Sequence, residues 1–520
     1  MSLQLWAVCA VILLVLALYR LRRWRPTAIY PPGPPSKPVI GNILDVSPKA
    51  AWIKFTKYKD IYGEFNGLLW LSVADYLAGD LVFFHGLGNN LLVLNSLKVA
   101  QDLLETRTDI YSDRPTFTVA GELMGLGKSM PLLNYNQEWR AQRKLAHHAL
   151  GPRAVKQYYV VQEDLAALFS KQILEDPEGF FSHVRLTTAR LILSITYGLS
   201  VEQAEDEYIT HAEDTMHVIG NATLPGAFIC DLIPILKHLP SWVPFQKEAK
   251  VGREMIERLA ARPFEHVKTE MRAGTAPVSL TRDLLSSEIQ GIKDKEHSIK
   301  WSVSSLYGAG GETTYATVLT CIMLMAMHPD KLKKAQDEID HAIGIDRLPL
   351  ISDRENLPYV EALIKEVMRW HPAVPLTRPG VPHCTAKDDI YEGYTIPKGT
   401  IVIPNLWAIA MERTDQYDPS TFVPERFLDK NNDRLVDPAS WVFGIGRRVC
   451  PGRYLAKSSL FILISTILAM FDILPPENEI LRVEFSKGIV SYPEPFKCRI
   501  TPRSASKASR ITWRAAQSTI

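Results

Sequence analysis

The sequence has few cysteines and no arrangement of them that makes a framework. The six, Cys9, Cys230, Cys321, Cys384, Cys450 and Cys498, stand far apart, and no Cys-x-x-Cys occurs. That spacing argues against a zinc cluster or a disulfide scaffold and for a reduced, cytosol-facing environment. An excess of charge of either sign is also missing. Lys and Arg number 59 and Asp and Glu 57, so the charge points neither to nucleic acid nor to an acidic ligand. No internal repeat is present, and the 35 prolines are scattered between helical stretches, which suits helices joined by ordered loops. At 520 residues the chain can bury a large core; length alone suggests two to four domains, but nothing in the sequence forces a split.

Charge is absent altogether from residues 1–19, and 5–19 is almost wholly apolar. Four arginines follow at Arg20, Arg22, Arg23 and Arg25. A secretory signal carries its cations before the apolar run, so a cleaved signal is the lesser alternative to a single membrane anchor. Cations on the far side predict a cytosolic body, and a thin endoplasmic reticulum bilayer tolerates a short span.

What is present then falls in order. Pro31-Pro32-Gly33-Pro34-Pro35 is stiff and extended. Residues 80–84 and 90–94 read as strands around Gly86-Leu87-Gly88. Helical patterns dominate 137–345, broken at Pro225 and Gly226. Asn221-Ala222-Thr223 matches a glycosylation acceptor, which a cytosolic body leaves unmodified. After Pro372 come short strands at 390–396 and 401–404, then a Gly-rich loop, an apolar helix over 454–471 and a terminal β region. The segment after Thr501 is polar and basic, and is expected to fray.

Three stretches carry chemistry. Cys450 lies between the Gly-rich loop and its apolar helix, beside Arg447 and Arg448. A helix N-terminus and two cations favour a thiolate there; a buried, inert cysteine is the commoner fate. The apolar helix over 301–327 holds Gly308, Gly310 and Gly311 at its middle, each costing about 1 kcal/mol against alanine, followed by Glu312 and Thr313. Either something approaches that backbone and takes protons from the two polar groups, or small residues serve a helix crossing. Glu366 and Arg369 are three apart, and Trp139 and Arg143 four apart, so each pair shares a helix face.

The string 441–452 resembles, position for position, the Phe-x-x-Gly-x-Arg-x-Cys-x-Gly loop of the cytochrome P450 superfamily, here Phe443, Gly446, Arg448, Cys450 and Gly452. Further family motifs follow the family order, and the resemblance covers roughly residues 30 to 500. It implies one mainly α haem-thiolate domain with a smaller β region. The chain then divides into an anchor (1–20), a basic, proline-rich hinge (21–40), the catalytic domain (41–501) and a polar tail (502–520). It implies haem b with Cys450 as axial ligand to the iron. Trp139, Arg143, His383 and Arg448 would meet the propionates, and Glu312 and Thr313 would be the proton-relaying catalytic pair. Glu366, Arg369 and the Arg426 of Pro424-Glu425-Arg426-Phe427 would form a buried structural lock. NADPH acts through an NADPH-cytochrome reductase docked near Arg140, Lys144, Arg447, Arg453 and Lys457, with a cytochrome b-type donor as a second source of electrons.

The resemblance further implies a single-pass endoplasmic reticulum protein in contact with membrane lipid, similar to fungal members of secondary metabolism. The pocket-lining segments would be 117–133, 225–230, 303–309, 373–376 and 488–492. Glu122 and Lys128 are their only evident charges, which implies an apolar, small-to-medium, terpenoid-like substrate. Hydroxylation is the expected outcome. Desaturation, rearrangement or peroxide-driven oxidation is the alternative, and a non-catalytic membrane-anchored haem protein a more distant one. The chain departs from the family at 66–78 and at Thr377-Arg378-Pro379, where residues are added.

Overall fold

The computed structural model describes residues 28–518 except 39, 47–49, 64–78, 225, 377–380, 414–415, 430–434 and 478. The expected anchor and both departures lie outside the described residues. Helix dominates, with a smaller β region.

Strands β1 (Leu81–Gly86) and β2 (Asn89–Leu94) pair antiparallel. Leu87 and Gly88 both take positive φ, 45° and 79°, as the tight hairpin turn between twisted strands requires. Farther on lie β3 (His383–Cys384), the small hairpin of β4 (Asp389–Tyr391) and β5 (Tyr394–Ile396), and β6 (Ile401–Pro404). β6 runs parallel to β2, Leu91 opposite Ile401, and takes β3 on its other side, giving the order β1-β2-β6-β3. Side chains of β1 alternate between two cores. Val82 and Phe84 pack under helix α1 (Ala51–Gly63), against Phe55. Leu81 and Phe83 join Trp441 and Ile445, so the sheet directly supports the loop that carries Cys450.

The proline stretch is extended, as expected, and it is also docked. Phe83 N–H donates to Pro32 O at 2.8 Å, and Tyr30 stacks on Phe83 with ring centres 5.4 Å apart. Only glycine fits at Gly33, where a Cβ would lie 1.9 Å from Phe83 O.

The longer helices are α2 (Gln137–Leu150), α3 (Tyr159–Glu175), α4 (Phe180–Tyr197), α5 (Glu207–Ala222), α6 (Pro244–Ala273), α7 (Lys295–Met327), α8 (Pro329–Ile343), α9 (Pro358–Trp370) and α10 (Arg453–Met470). Their ends follow local chemistry. Asn136 caps α2 by accepting from Trp139 N–H at 2.9 Å, Asp294 caps α7 through His297 N–H, and Pro358 opens α9. α7 runs through the middle of the helical part and packs on α4, α2 and α10. From Ala316 to Ala326 every side chain of α7 is buried, so that half is apolar all round, as an interior helix must be. Among the described residues α10 is the one helix long and apolar enough to cross a membrane. Most of it is buried against α7, α9 and α3, which accounts for its composition.

The fraying expected after Thr501 is corrected. β8 (Arg499–Pro502) pairs with β7 (Phe471–Leu474), and a further helix, α11 (Ala505–Ala515), packs on α3. Three cations of this segment are paired. Arg503 and Lys507 reach Asp340 at 2.5 and 3.3 Å, and Arg514 reaches the buried Asp164 at 2.6 Å. Ile511 and Ala515 fill the interface.

Candidate functional site

The Cys450 loop is built around two glycines with positive φ, Gly444 (84°) and Gly446 (67°). A Cβ on Gly446 would lie 2.0 Å from Leu104 O, so the loop rests directly on the turn at Asp102–Thr106. Cys450 N–H donates back to Phe443 O at 2.6 Å and closes the loop. Two residues later Gly452 caps α10. Burial pushes the Cys450 thiol up; the Gly452 backbone N–H, the Arg143 and Arg453 guanidinia and the Arg453 N–H pull it back toward thiolate.

The helix N-terminus thus acts as expected, but the cations are not the expected ones. The short turn Gly446–Arg448 aims both adjacent guanidinia away from the sulfur. Arg447 pairs with Asp109 at 2.5 Å, and Arg448 donates to Ser112 O (2.8 Å) and Leu133 O (2.7 Å).

Arg448 belongs to a second group. Its guanidinium lies 4.6 Å from the Trp139 ring centre, and that of Arg143, one turn along α2, lies 6.0 Å from the same ring. Arg114, missed in the sequence, is buried beside them and donates to Pro131 O, Val381 O and Pro382 O at 2.8–2.9 Å. It stands in a loop without helix or strand spacing, so no periodicity marks it. His383 is buried too, its Nδ1 2.8 Å from Tyr111 O, and burial together with Arg114 holds it neutral.

Burial and the neighbouring Arg143 lower the Arg448 pKa to about 10, with Asp113 opposing them. The Nη1 of Arg448 is buried with no hydrogen-bond partner among the described residues. Buried cations short of counter-charge suit a ligand carrying carboxylates. This set therefore fits haem: Cys450 would supply a thiolate to its iron, and the arginines would meet its acid groups.

The relay pair on α7 is divided by the helix. Glu312 lines a cavity of about 1660 Å³ together with Gly308, Gly311 and Tyr315. Thr313 lies about 100° further round, on the stripe of Ala309 and Thr317, and donates to Ala309 O at 3.1 Å. Burial, with a smaller push from Glu213, raises the Glu312 carboxyl to about 7.

The three glycines also differ. A Cβ on Gly310 would sit 2.6 Å from Ile192 Cδ1, so this one serves the crossing with α4, the second of the two readings of these glycines. Gly308 faces Met216 at 3.4 Å, and Gly311 has no atom closer than 3.9 Å.

The large cavity gathers three of the five expected pocket segments, through Tyr307 and Gly308, Leu376, and Gly488 to Val490 with Tyr492. The 117–133 segment instead lines a separate cavity of about 210 Å³ beside Arg114. Its charges are spent elsewhere, Glu122 on Lys237 at 2.6 Å and Lys128 on Glu257 at 2.7 Å. The large cavity has charges of its own, in Glu312, the bidentate Arg185–Glu213 pair at 2.6–2.7 Å, and Asp214, Glu484, Lys487 and Glu494.

Glu366, Arg369 and Arg426 do meet. Arg369 grips the Glu366 carboxylate with two bonds of 2.7 and 2.8 Å, Arg426 reaches it at 3.1 Å, and Val423 N–H donates to it at 2.9 Å. All three side chains are buried.

Comparison with known proteins gives the family. The family described as Cytochrome P450 matches residues 31–500. Among similar proteins, the cytochrome P450 monooxygenase claR of Ampulloclitocybe clavipes is 38% identical over 493 residues, 92% of this chain and 88% of its own. Cytochrome P450 monooxygenase 208 of Postia placenta is 37% identical over 514 residues, 97% and 96% of the two chains. A zebra fish cytochrome P450 solved with progesterone shares the fold at a TM-score of 0.69 and 24% identity, covering 87% of this chain and 99% of that one.

Proposed function

This chain belongs to the cytochrome P450 family and is a monooxygenase, and on that premise we propose that it oxidises an apolar, terpenoid-like secondary metabolite at the site around Cys450. When bound, haem supplies activation of dioxygen, with two electrons delivered in turn, and transfer of one oxygen atom to the substrate. Cys450 would bind its iron through sulfur, and Arg143, Arg448, Trp139 and His383, joined by Arg114, would hold its propionates. The observation that carries the haem site is a thiol at the α10 N-terminus together with an Arg448 nitrogen that is buried and has no partner among the described residues.

Arg143 serves both groups, since it lies near the sulfur and stacks toward Trp139. Glu312, with a carboxyl near 7, can take and give protons at neutral pH, and the Thr313 hydroxyl can orient the next acceptor. Leu376, Ile489 and Val490 in the cavity wall orient apolar substrate and exclude water from it. Electrons come from an NADPH-cytochrome reductase, with a cytochrome b-type donor as a second source, on the face of Arg140, Lys144, Arg453 and Lys457. Residues 1–20 anchor the chain in the endoplasmic reticulum membrane with the catalytic body in the cytosol.

The reduced, carbon monoxide-bound protein should show the red-shifted Soret band of a thiolate ligand. A Cys450→His protein that keeps that band unchanged overturns the assignment. For the substrate, terpenoid hydrocarbons or alcohols should shift the iron from low to high spin. Tight binding of a charged polar compound with none of terpenoids would dispose of that part.

A further inference from the structure

The loop from Phe485 to Pro493 forms part of the wall of the large cavity. Its two ends face each other in an antiparallel bridge, and just outside them Glu494 N–H donates to Glu484 O at 2.8 Å. Ser486 closes the tip. Its N–H donates to Tyr492 O (2.9 Å), and its hydroxyl donates to Val490 O (3.2 Å) and accepts from Tyr492 N–H (3.1 Å). The tip touches two other walls. Ile489 Cδ1 lies 3.4 Å from where a Cβ would stand on Gly220 of α5. The Tyr492 ring meets that of Tyr315 on α7 edge to face, with centres 5.5 Å apart. Ile489, Val490 and Tyr492 line the cavity, whereas Ser491 between them is fully buried and stands behind it.

Among the described residues the loop has two hydrogen bonds to the rest of the chain, and both are at Ser491. Its N–H donates to Ala373 O at 2.8 Å, and its Oγ lies 2.9 Å from His371 Nε2. A serine hydroxyl has one hydrogen, and here it goes to Ser486 O at 2.9 Å. Oγ therefore accepts from His371, which fixes the ring in its Nε2–H form. Burial pushes the imidazole down to about 3, so it is neutral at any working pH. The ring is itself held, stacked on Phe485 at 3.5 Å and edge-on to Trp407 at 5.5 Å. It stands two residues beyond Arg369, whose buried pair with Glu366 fixes this end of α9. A locked side chain on a rigid helix end places a loop more closely than the loop can place itself.

We infer that Ser491 is a positioning residue for substrate: held by His371 and Ala373, it sets how far Ile489 and Val490 stand into the cavity, and so which part of a substrate reaches the oxidation site. The inference rests on the proposed reading of the large cavity as the place where substrate lies. Ser491 acts through its two neighbours in the wall and touches no substrate itself. A serine that only steadied the loop would leave unchanged what the cavity accepts.

The test uses full-length, haem-loaded protein carrying Ser491→Ala, His371→Phe or both. Phenylalanine keeps the stack on Phe485 and removes the N–H donor. The probe is a series of n-alkylimidazoles, whose nitrogen binds the haem iron and whose tail measures the room beside it; the optical shift reads affinity. In the natural protein affinity should climb about fourfold per methylene while the tail finds apolar wall, and level off where it meets the loop. In each single variant the climb should run on for at least one further methylene. Amides of 485–493 should also exchange in D2O up to about tenfold faster, as read by mass spectrometry. The double variant should do no more than either single one, because both remove the same bond. Faster exchange with an unchanged tail profile makes Ser491 structural only and overturns the inference, as does a profile that never levels off in the natural protein. Additive effects of the two substitutions overturn the link to His371. If no alkylimidazole shifts the spectrum of the natural protein, the cavity does not adjoin the iron, and the proposed site falls along with the inference.

Discussion

Replacing Glu366 by Gln is the sharpest perturbation this fold offers, because it changes charge and almost nothing else. The carboxylate is wholly buried, and one of its oxygens serves Arg369, Arg426 and Val423 N–H together. Glutamine keeps the volume but turns one carboxylate oxygen into an NH2 group, which faces the Arg369 guanidinium in either amide orientation. Arg369 retains the carbonyls of Ala410, Pro419 and Thr421, and Arg426 those of Val423, Asp418 and Thr421, so both stay hydrogen-bonded. Their charge, however, is left uncompensated in the interior. Breaking a buried pair in this way costs about 3–5 kcal/mol. A domain stable by only about 5–15 kcal/mol loses roughly a fifth or more of its margin. Asp109→Ala provides the scale for comparison. It breaks the 2.5 Å pair with Arg447, whose partners are 77% and 35% accessible, and such surface pairs are worth at most about 1 kcal/mol. Denaturant unfolding followed by far-ultraviolet circular dichroism should separate the two variants by a wide interval in midpoint. Equal midpoints would refute the reasoning, since burial would then have made no difference.

Further outcomes follow from the same physics. With its carboxyl near 7 against an ordinary 4.5, Glu312 holds a proton in the folded chain that the unfolded chain releases between those values. Stability therefore falls as pH rises through that window, and Glu312→Gln should gain up to about 3 kcal/mol over the natural protein at pH 8 but nothing at pH 4.5; thermal unfolding at the two pH values checks it. Thr313→Ala should bind haem normally yet waste NADPH as peroxide, which a product-to-NADPH ratio measures. Arg514→Ala should destabilise by more than a surface pair's roughly 1 kcal/mol, because Asp164 is 3% accessible; chemical unfolding reads the loss.

How far the sequence carried the reading depended on whether an interaction is encoded locally. The Glu366–Arg369 pair follows from helical spacing, and the loop at 441–452 from a run of fixed residue types, so both were legible. The C-terminal helix was not, because its basic residues find their acids on α3 and α8, far away in the chain. Adjacency misled at Cys450. Arg447 and Arg448 are neighbours in sequence, yet the turn they sit in aims them elsewhere, and the cations that bear on the sulfur are Arg143 and Arg453. Among the glycines of α7, composition showed a helix under strain from its own sequence, but only the position of Ile192 separates the one that packs from the one that does not.

The docking of Tyr30 and Pro32 onto β1 changes what the start of the chain can do. A free proline run would be a pivot, letting the body swing about its anchor. Here Phe83 N–H is already taken by Pro32, and Tyr30 lies flat on the Phe83 ring, so the chain leaves the body at a fixed point. Arg20 lies ten residues before Tyr30, and ten residues of chain span at most about 35 Å. With residues 1–20 held in a bilayer, as proposed above, Tyr30 and the strand it docks on would stay within that distance of the lipid. The proposed apolar substrate would then meet the protein close to the membrane it leaves.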